Sequence, residues 1–156
     1  MRFRAVDPTE PETAALLGRY FAERADGFPV PGAYRPATAD PVAFRPPSGV
    51  FLRLEEDDGS ALAIGGLRSL DPDAAGRRME IKHLYVVPGA RGRGLGRLLL
   101  GELERRAREA GAATLVLDTN RSLEAAAALY RSVGFVPVPP YNQNSNATDW
   151  LGKPLT

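Results

Sequence analysis

Met79-Glu80-Ile81-Lys82-His83-Leu84-Tyr85-Val86-Val87-Pro88, followed after Gly89-Ala90 by Arg91-Gly92-Arg93-Gly94-Leu95-Gly96, is the stretch whose reading decides the fold. The first run is apolar and β-branched enough for a strand, and Pro88 ends it because proline cannot continue a ladder. From Leu95 the spacing predicts a helix. Leu95, Leu98, Leu99, Leu103 and Ala107 fall on one face, Arg97, Glu104, Arg105 and Arg108 fall elsewhere, and Gly111 closes it. Strand, glycine-rich loop and helix start together bring free backbone N–H groups and the positive helix end onto one point, where an anion binds. Glycines allow close approach, and Arg91, Arg93 and Arg97 add charge suited to phosphate oxygens. A dinucleotide fingerprint needs G-x-G-x-x-G at the start of a βαβ unit, whereas the spacing here is G-x-G-x-G after several strands. A Walker loop is excluded, because neither lysine is followed by Ser or Thr. The bland alternative is a glycine-rich helix start with its arginines in solvent.

Outward from this stretch, Gly49 to Glu55 and Ala61 to Leu70 read as antiparallel strands joined through Asp57-Asp58-Gly59-Ser60. Residues 2 to 6 form a short first strand. Thr9-Glu10-Pro11-Glu12 carries the signals of a helix start with Thr9 as N-cap, and Leu16, Leu17, Tyr20 and Phe21 supply the apolar stripe. Residues 27 to 48 hold many prolines with Phe28, Tyr34 and Phe44 among them; this predicts an ordered loop packed on the domain, with one short helix near Pro41 to Phe44. Downstream, Thr114 to Leu117 suits a strand buried on both faces. Asn120 or Ser122 caps a helix from Leu123 to Val133, Gly134 closes it, and strands follow at Phe135 to Val138 and Trp150 to Leu155. The order β-α-β-β-β-α-β-α-β-β, with hairpins first and a βαβ crossover after, predicts one α/β domain over 1–156. Its central sheet is mixed, mostly antiparallel and flanked by helices.

Composition narrows the chemistry. The chain has 156 residues, 20 basic against 19 acidic, no cysteine and one histidine. So small a net charge gives no field for nucleic acid or anionic lipid. Without cysteine there is no thiolate nucleophile or Cys-ligated zinc, and one histidine makes no metal site; metal-free chemistry is expected. The N-terminus lacks the apolar run of a signal peptide and no stretch has the length of a membrane span, so a cytoplasmic location is expected.

Arg91-Gly92-Arg93-Gly94-Leu95-Gly96 matches the pyrophosphate-loop pattern [Q/R]-x-x-G-x-[G/A], and the chain there resembles the GCN5-related N-acetyltransferase (GNAT) family. Glu80 to Pro88 before the loop and Leu129-Tyr130-Arg131-Ser132-Val133-Gly134-Phe135 after it extend the resemblance over residues 79 to 138. It implies the acyl-CoA N-acyltransferase fold, with acetyl-CoA as cosubstrate and an amine attacking the thioester directly, without an acyl-enzyme. The loop from Arg91 to Arg97 would hold the phosphates. The backbone of Leu84, Tyr85 and Val86 would pair with the pantetheine arm, and Asn120 would hold that arm from the other side or cap a helix. A lysine-like amine, with a pKa of about 10.4, arrives protonated, and Glu80 is the candidate base. By strand alternation Glu80 shares a face with Leu84 and Val86, and burial would raise its pKa; a surface carboxylate paired with Arg78 or Lys82 is the other reading. Tyr130 is the candidate acid for the departing thiolate, although taken alone it shares a helical face with Leu123 and Ala127 and reads as core. A backbone N–H at Val86 or Val87 would receive the charge on the thioester oxygen.

Tyr34, Arg35, Arg68, His83 and the tail Tyr141-Asn142-Gln143-Asn144 are candidate acceptor contacts, each also readable as ordinary surface or structural residues. The acceptor is a small-molecule amine, a protein N-terminus or a lysine. A monomer and a homodimer are both compatible with the sequence. A non-catalytic acyl-CoA-binding sensor is the alternative function.

Overall fold

Alternating apolar residues in the N-terminal half build a meander of strands, and the computed structural model describes all of residues 1–156. Strand β1 (Arg2–Ala5) precedes helix α1 (Pro11–Asp26). The strands β2 (Gly49–Glu55), β3 (Ala61–Asp73) and β4 (Gly76–Val86) follow, then helix α2 (Leu95–Glu109), β5 (Thr114–Thr119), α3 (Glu124–Ser132), β6 (Val136–Pro137) and β7 (Asp149–Pro154). The seven strands form one sheet in the order β1-β2-β3-β4-β5-β7-β6. Only the β4–β5 pair is parallel, as the crossover through α2 requires. Element order and sheet type are those expected from the sequence.

Two apolar layers hold the sheet. On one face Leu99, Leu100 and Leu103 of α2 are fully buried against Leu52, Leu54, Leu67 and Leu115, with Tyr130 and Phe135 completing the cluster. Each such leucine contributes about 1.5–3 kcal/mol by leaving water. On the other face Leu16 and Leu17 of α1 pack on Phe51, Ile64 and Tyr85, and Phe44 reaches in from the 27–48 loop. That loop is packed as its aromatics imply, but Pro41 to Phe44 forms turns rather than a helix.

Local caps differ from expectation. The N-cap of α1 is Glu10, because Thr9 spends its hydroxyl and amide on Asp7. At α3 the N-cap is Leu123, without a side-chain cap. Asn120 instead accepts the Ser122 amide at 3.0 Å and donates to the Asn146 carbonyl at 3.1 Å.

The feature that shapes the site is a bulge in β4. Gly66 pairs with Lys82 and Ile64 with Tyr85, so His83 and Leu84 together oppose Gly65. His83 takes the extra turn at φ 58°, the only non-glycine residue with positive φ. A bulge reverses alternation beyond it. Glu80 therefore does not share a face with Leu84 and Val86: those two pack toward α2, whereas Tyr85 joins the α1 layer.

Gly49 is enclosed, since a Cβ there would collide with the Leu67 and Ala43 carbonyl oxygens, whereas one at Gly101, on the exposed side of α2, would meet nothing. Gly49→Ala should lower unfolding free energy by about 2–4 kcal/mol. Gly101→Ala should raise it by about 0.5–1 kcal/mol. Both are read by urea denaturation.

Candidate active site

The turn after β4 presents an anion cradle. Gly92 and Gly94 adopt φ 79° and 75°, and no protein acceptor takes the backbone N–H groups of Gly92 through Arg97. The first bonded amide is that of Leu98, which donates to the Gly94 carbonyl at 3.1 Å. Six successive free donors at a helix start form a concavity for anions. The space above is open, for a Cβ at Gly92 or Gly94 would have no neighbour within 4 Å. The arginines of the loop are occupied elsewhere. Arg91 donates to the Val86 carbonyl at 3.0 Å and pairs with Glu23 at 2.8 Å. Arg93 pairs with Glu56 at 2.9 Å, and Arg97 donates to the Ser132 hydroxyl at 2.7 Å.

Behind the cradle the sheet opens. The parallel ladder joins β4 to β5 only at Arg78, Met79 and Glu80, although β4 continues to Val86 and β5 to Thr119. The strands diverge beyond Glu80 into a cleft of about 760 Å³, lined by Leu84, Tyr85 and Val86 on one side and Leu117 to Thr119 on the other. Val87 donates to the Leu62 carbonyl at 2.9 Å, so its N–H is not free to receive an oxyanion. By antiparallel alternation, Val86 turns its N–H away from β3 and toward the opening.

Tyr130 reaches this cleft from α3. Its ring packs on Phe135 at 6.0 Å, and its hydroxyl, which makes no protein hydrogen bond and is not sealed from solvent, is left facing the opening. Burial, with a smaller contribution from Tyr20, holds the phenol above its usual range, hence fully protonated near neutrality.

Glu80 is fully buried and does not line the cleft. Its Oε1 accepts Arg68 Nε at 2.8 Å and Nη2 at 2.7 Å, and its Oε2 accepts the Tyr141 hydroxyl at 2.6 Å. Lys82 Nζ lies 3.6 Å from Oε2 and bridges the open strands to Asp118 Oδ1 at 2.9 Å. Burial alone would raise the Asp118 carboxyl; Lys82 and the Asn142 amide outweigh it, and the net shift is downward. Tyr141, pushed up by burial and then by Glu80, sits outside the cleft lining with Arg35 and Asn120, whereas Tyr34, Arg68 and His83 line it. Asn142 and Asn144 of the tail line it as well, and Lys82 and Asp118, also cleft residues, were missed by sequence reasoning. The one signal for Lys82 and Asp118 was their polarity inside otherwise apolar strands.

These features match a known group of proteins: the family model described as Acetyltransferase (GNAT) family covers residues 14–135. The chain belongs to the GNAT acetyltransferase family. It is 37% identical over 101 residues to an uncharacterized N-acetyltransferase of Schizosaccharomyces pombe, a match covering 65% of this chain and 60% of that protein. It is 37% identical over 95 residues to a protein named IAA acetyltransferase in Azospirillum brasilense, covering 59% and 61%. The GNAT chain thus spans about three fifths of the length of these curated relatives. Among solved structures, a Klebsiella pneumoniae protein provisionally described as an acyl-CoA N-acyltransferase superposes with a TM-score of 0.77 at 26% identity, covering 99% and 97% of the two chains. No helix of the GNAT chain is long and apolar enough to cross a membrane, and no group of three or more His, Cys, Asp or Glu could hold a metal.

His83 sits among the rings of Tyr20, Phe21, Phe44 and Phe51. Burial, then Lys82 and Arg68, lower its pKa to about 3. The folded GNAT chain therefore binds fewer protons than the unfolded one below about pH 6.5, and stability falls as pH falls through that window. As this is the sole histidine, between pH 6.5 and 5 it should cost about 1.5 kcal/mol. In His83→Asn, which tolerates the positive φ, urea denaturation should show only the smaller slope left by the lowered carboxylates such as Glu55 and Glu102.

Proposed function

We propose that residues 1–156 form an acetyl-CoA-dependent N-acetyltransferase domain acting on a primary amine. The observation that carries this reading is the run of six free amides from Gly92 to Arg97 beside a cleft between diverging strands. The cradle fits a diphosphate in charge and in open space. Arg97 can exchange the Ser132 hydroxyl for a phosphate oxygen, because a charged acceptor makes the stronger bond. Acetyl-CoA supplies an acetyl thioester at the cleft. Leu84 and Tyr85 would flank its arm, and the Val86 N–H would donate to the acyl oxygen as charge develops there.

The chain's own residues have two protons to manage. Tyr130, protonated and unpartnered, would donate to the departing sulfur as the carbon–sulfur bond breaks. Glu80, sealed behind Arg68 and Tyr141, would take the amine's proton only through solvent in the cleft, and it also holds Arg68 and Lys82 in place. The same sealing favours a second reading, an acyl-CoA sensor that binds without transfer.

Calorimetric titration with acetyl-CoA, followed by thiol release in the same preparation, separates the two. The enzyme reading expects saturable binding and amine-dependent release; binding without release for any amine supports the sensor. Tyr130→Phe should leave acetyl-CoA affinity within about threefold and stability within about 0.5 kcal/mol, since the hydroxyl has no protein partner. Its kcat should fall roughly 100-fold. An unchanged kcat would remove Tyr130 as the acid.

A further inference from the structure

We infer that the acceptor is a small zwitterionic amine of the amino-acid class, its carboxylate held by Arg68 and its apolar side chain laid on the aromatic wall of the cleft. This rests on the acetyltransferase reading above and names the substrate of that same site.

Size is limited by a clasp. The Asn146 side chain meets the 27–48 loop as another strand would: Oδ1 accepts the Arg35 N–H at 2.9 Å and Nδ2 donates to the Arg35 carbonyl at 2.6 Å. Its own segment is anchored, with the Asn146 carbonyl bound by Asn120 at 3.1 Å and Thr148 N–H donating to the Thr119 carbonyl at 2.9 Å. Tyr34 and Thr38 on one side of the clasp, and Asn144 and Ala147 on the other, line the cleft. The two loops thus meet at the rim of the cleft. A polypeptide would have to pass this rim, whereas a free amine of amino-acid size fits within it.

Charge selects within small amines. Of the carboxylates in and behind the cleft, Glu80 is spent on Arg68 and Tyr141, Asp118 on Lys82 and Asn142, and Glu23 on Arg91, which leaves Glu124 at the start of α3 without an ion pair. Unspent donors remain on the cations. Arg68, one-third exposed along its side chain, leaves Nη1 without a protein partner. Arg24 has no carboxylate partner, only the Tyr20 hydroxyl at 3.3 Å and the ring faces of Tyr20 and Tyr34. Against a polycation the cleft sets these unspent cations, with Glu124 the one lining carboxylate that carries no ion pair. A carboxylate would find charge-assisted donors at Arg68. Tyr20, Phe21, Phe44 and the neutral His83 ring supply an apolar surface beside them. In the transfer, the bound ammonium loses one proton before attack and a second as the amide C–N bond forms and the thioester C–S bond breaks. The sulfur gains one proton, and one is released to solvent.

The test is thiol release from acetyl-CoA by the whole chain with four kinds of acceptor: free phenylalanine, leucine and methionine; the carboxamides of the same three; spermidine; and a hexapeptide with a free N-terminus. The expected result is kcat/KM at least 100-fold higher for the free acids than for their amides, with spermidine and peptide lower still. Arg68→Gln should collapse the acid-over-amide preference. Because that variant disturbs the Glu80 pair and could fail to fold, the acid–amide comparison on the unaltered chain stands by itself. Amides used as well as acids, or spermidine or peptide preferred, would overturn the inference while leaving the acetyltransferase reading intact. Acetyl-CoA binding without thiol release for any amine would overturn both.

Discussion

The parting of β4 from β5 after three paired residues is the constraint on which the site depends. Parallel neighbours normally stay paired, because unbonded backbone groups inside a protein are costly. Here the bulge at His83 and Leu84 turns β4 aside, and the exposed groups face a cleft in which, on the proposed reading, an extended ligand would complete the ladder. The sheet is held on either side of the gap by Leu67 and Met79 and by Leu115 and Leu117, so the opening is part of the folded state and need not be created on binding. The same turn of β4 brings the chain to Arg91, whose guanidinium caps the Val86 carbonyl and so links the cleft wall to the anion cradle.

A second consequence is electrostatic. Glu80, Arg68, Lys82 and Asp118 would be expensive singly, and they coexist because each is paired and hydrogen-bonded. Buried pairs of this kind add little net stability. Their effect is geometric, fixing Lys82 across the diverging strands and leaving one face of Arg68 unspent. Tyr141 and Asn142, from the segment before β7, seal the network, so the C-terminal hairpin shapes the acceptor end as much as β4 does.

How much of this was legible in the sequence follows from which forces are local. Strand–loop–helix at 79 to 109 could be read because proline, glycine and the leucine spacing act within a few residues of one another. The order of the sheet then followed from the crossover. The bulge could not be read: His83 carries no local turn signal, and strict alternation placed Glu80 with Leu84 and Val86. Once the face of Glu80 changes, its surroundings change with it: Lys82 stays a neighbour, as the sequence offered, but the closest partners are Arg68 and Tyr141, remote in sequence. Asn120 was read as a cap or an arm contact because Asn suits helix starts; its partner Asn146 lies 26 residues away, beyond any local rule. The arginines of the loop were read as phosphate donors from charge alone, which says nothing of Glu23, Glu56 and Ser132 within their reach.

The central claim is that the free amides of the loop receive the phosphates of coenzyme A while the arm lies between the parted strands. Amide chemical-shift mapping of the 15N-labelled chain titrated with coenzyme A tests it most directly. The account predicts the largest saturable shifts at Gly92 through Arg97, with Gly92, Gly94 and Gly96 moving downfield as they gain charged acceptors, and a second group at Leu84 to Val86. Saturable binding that leaves these amides unmoved, or no binding at all, would contradict it.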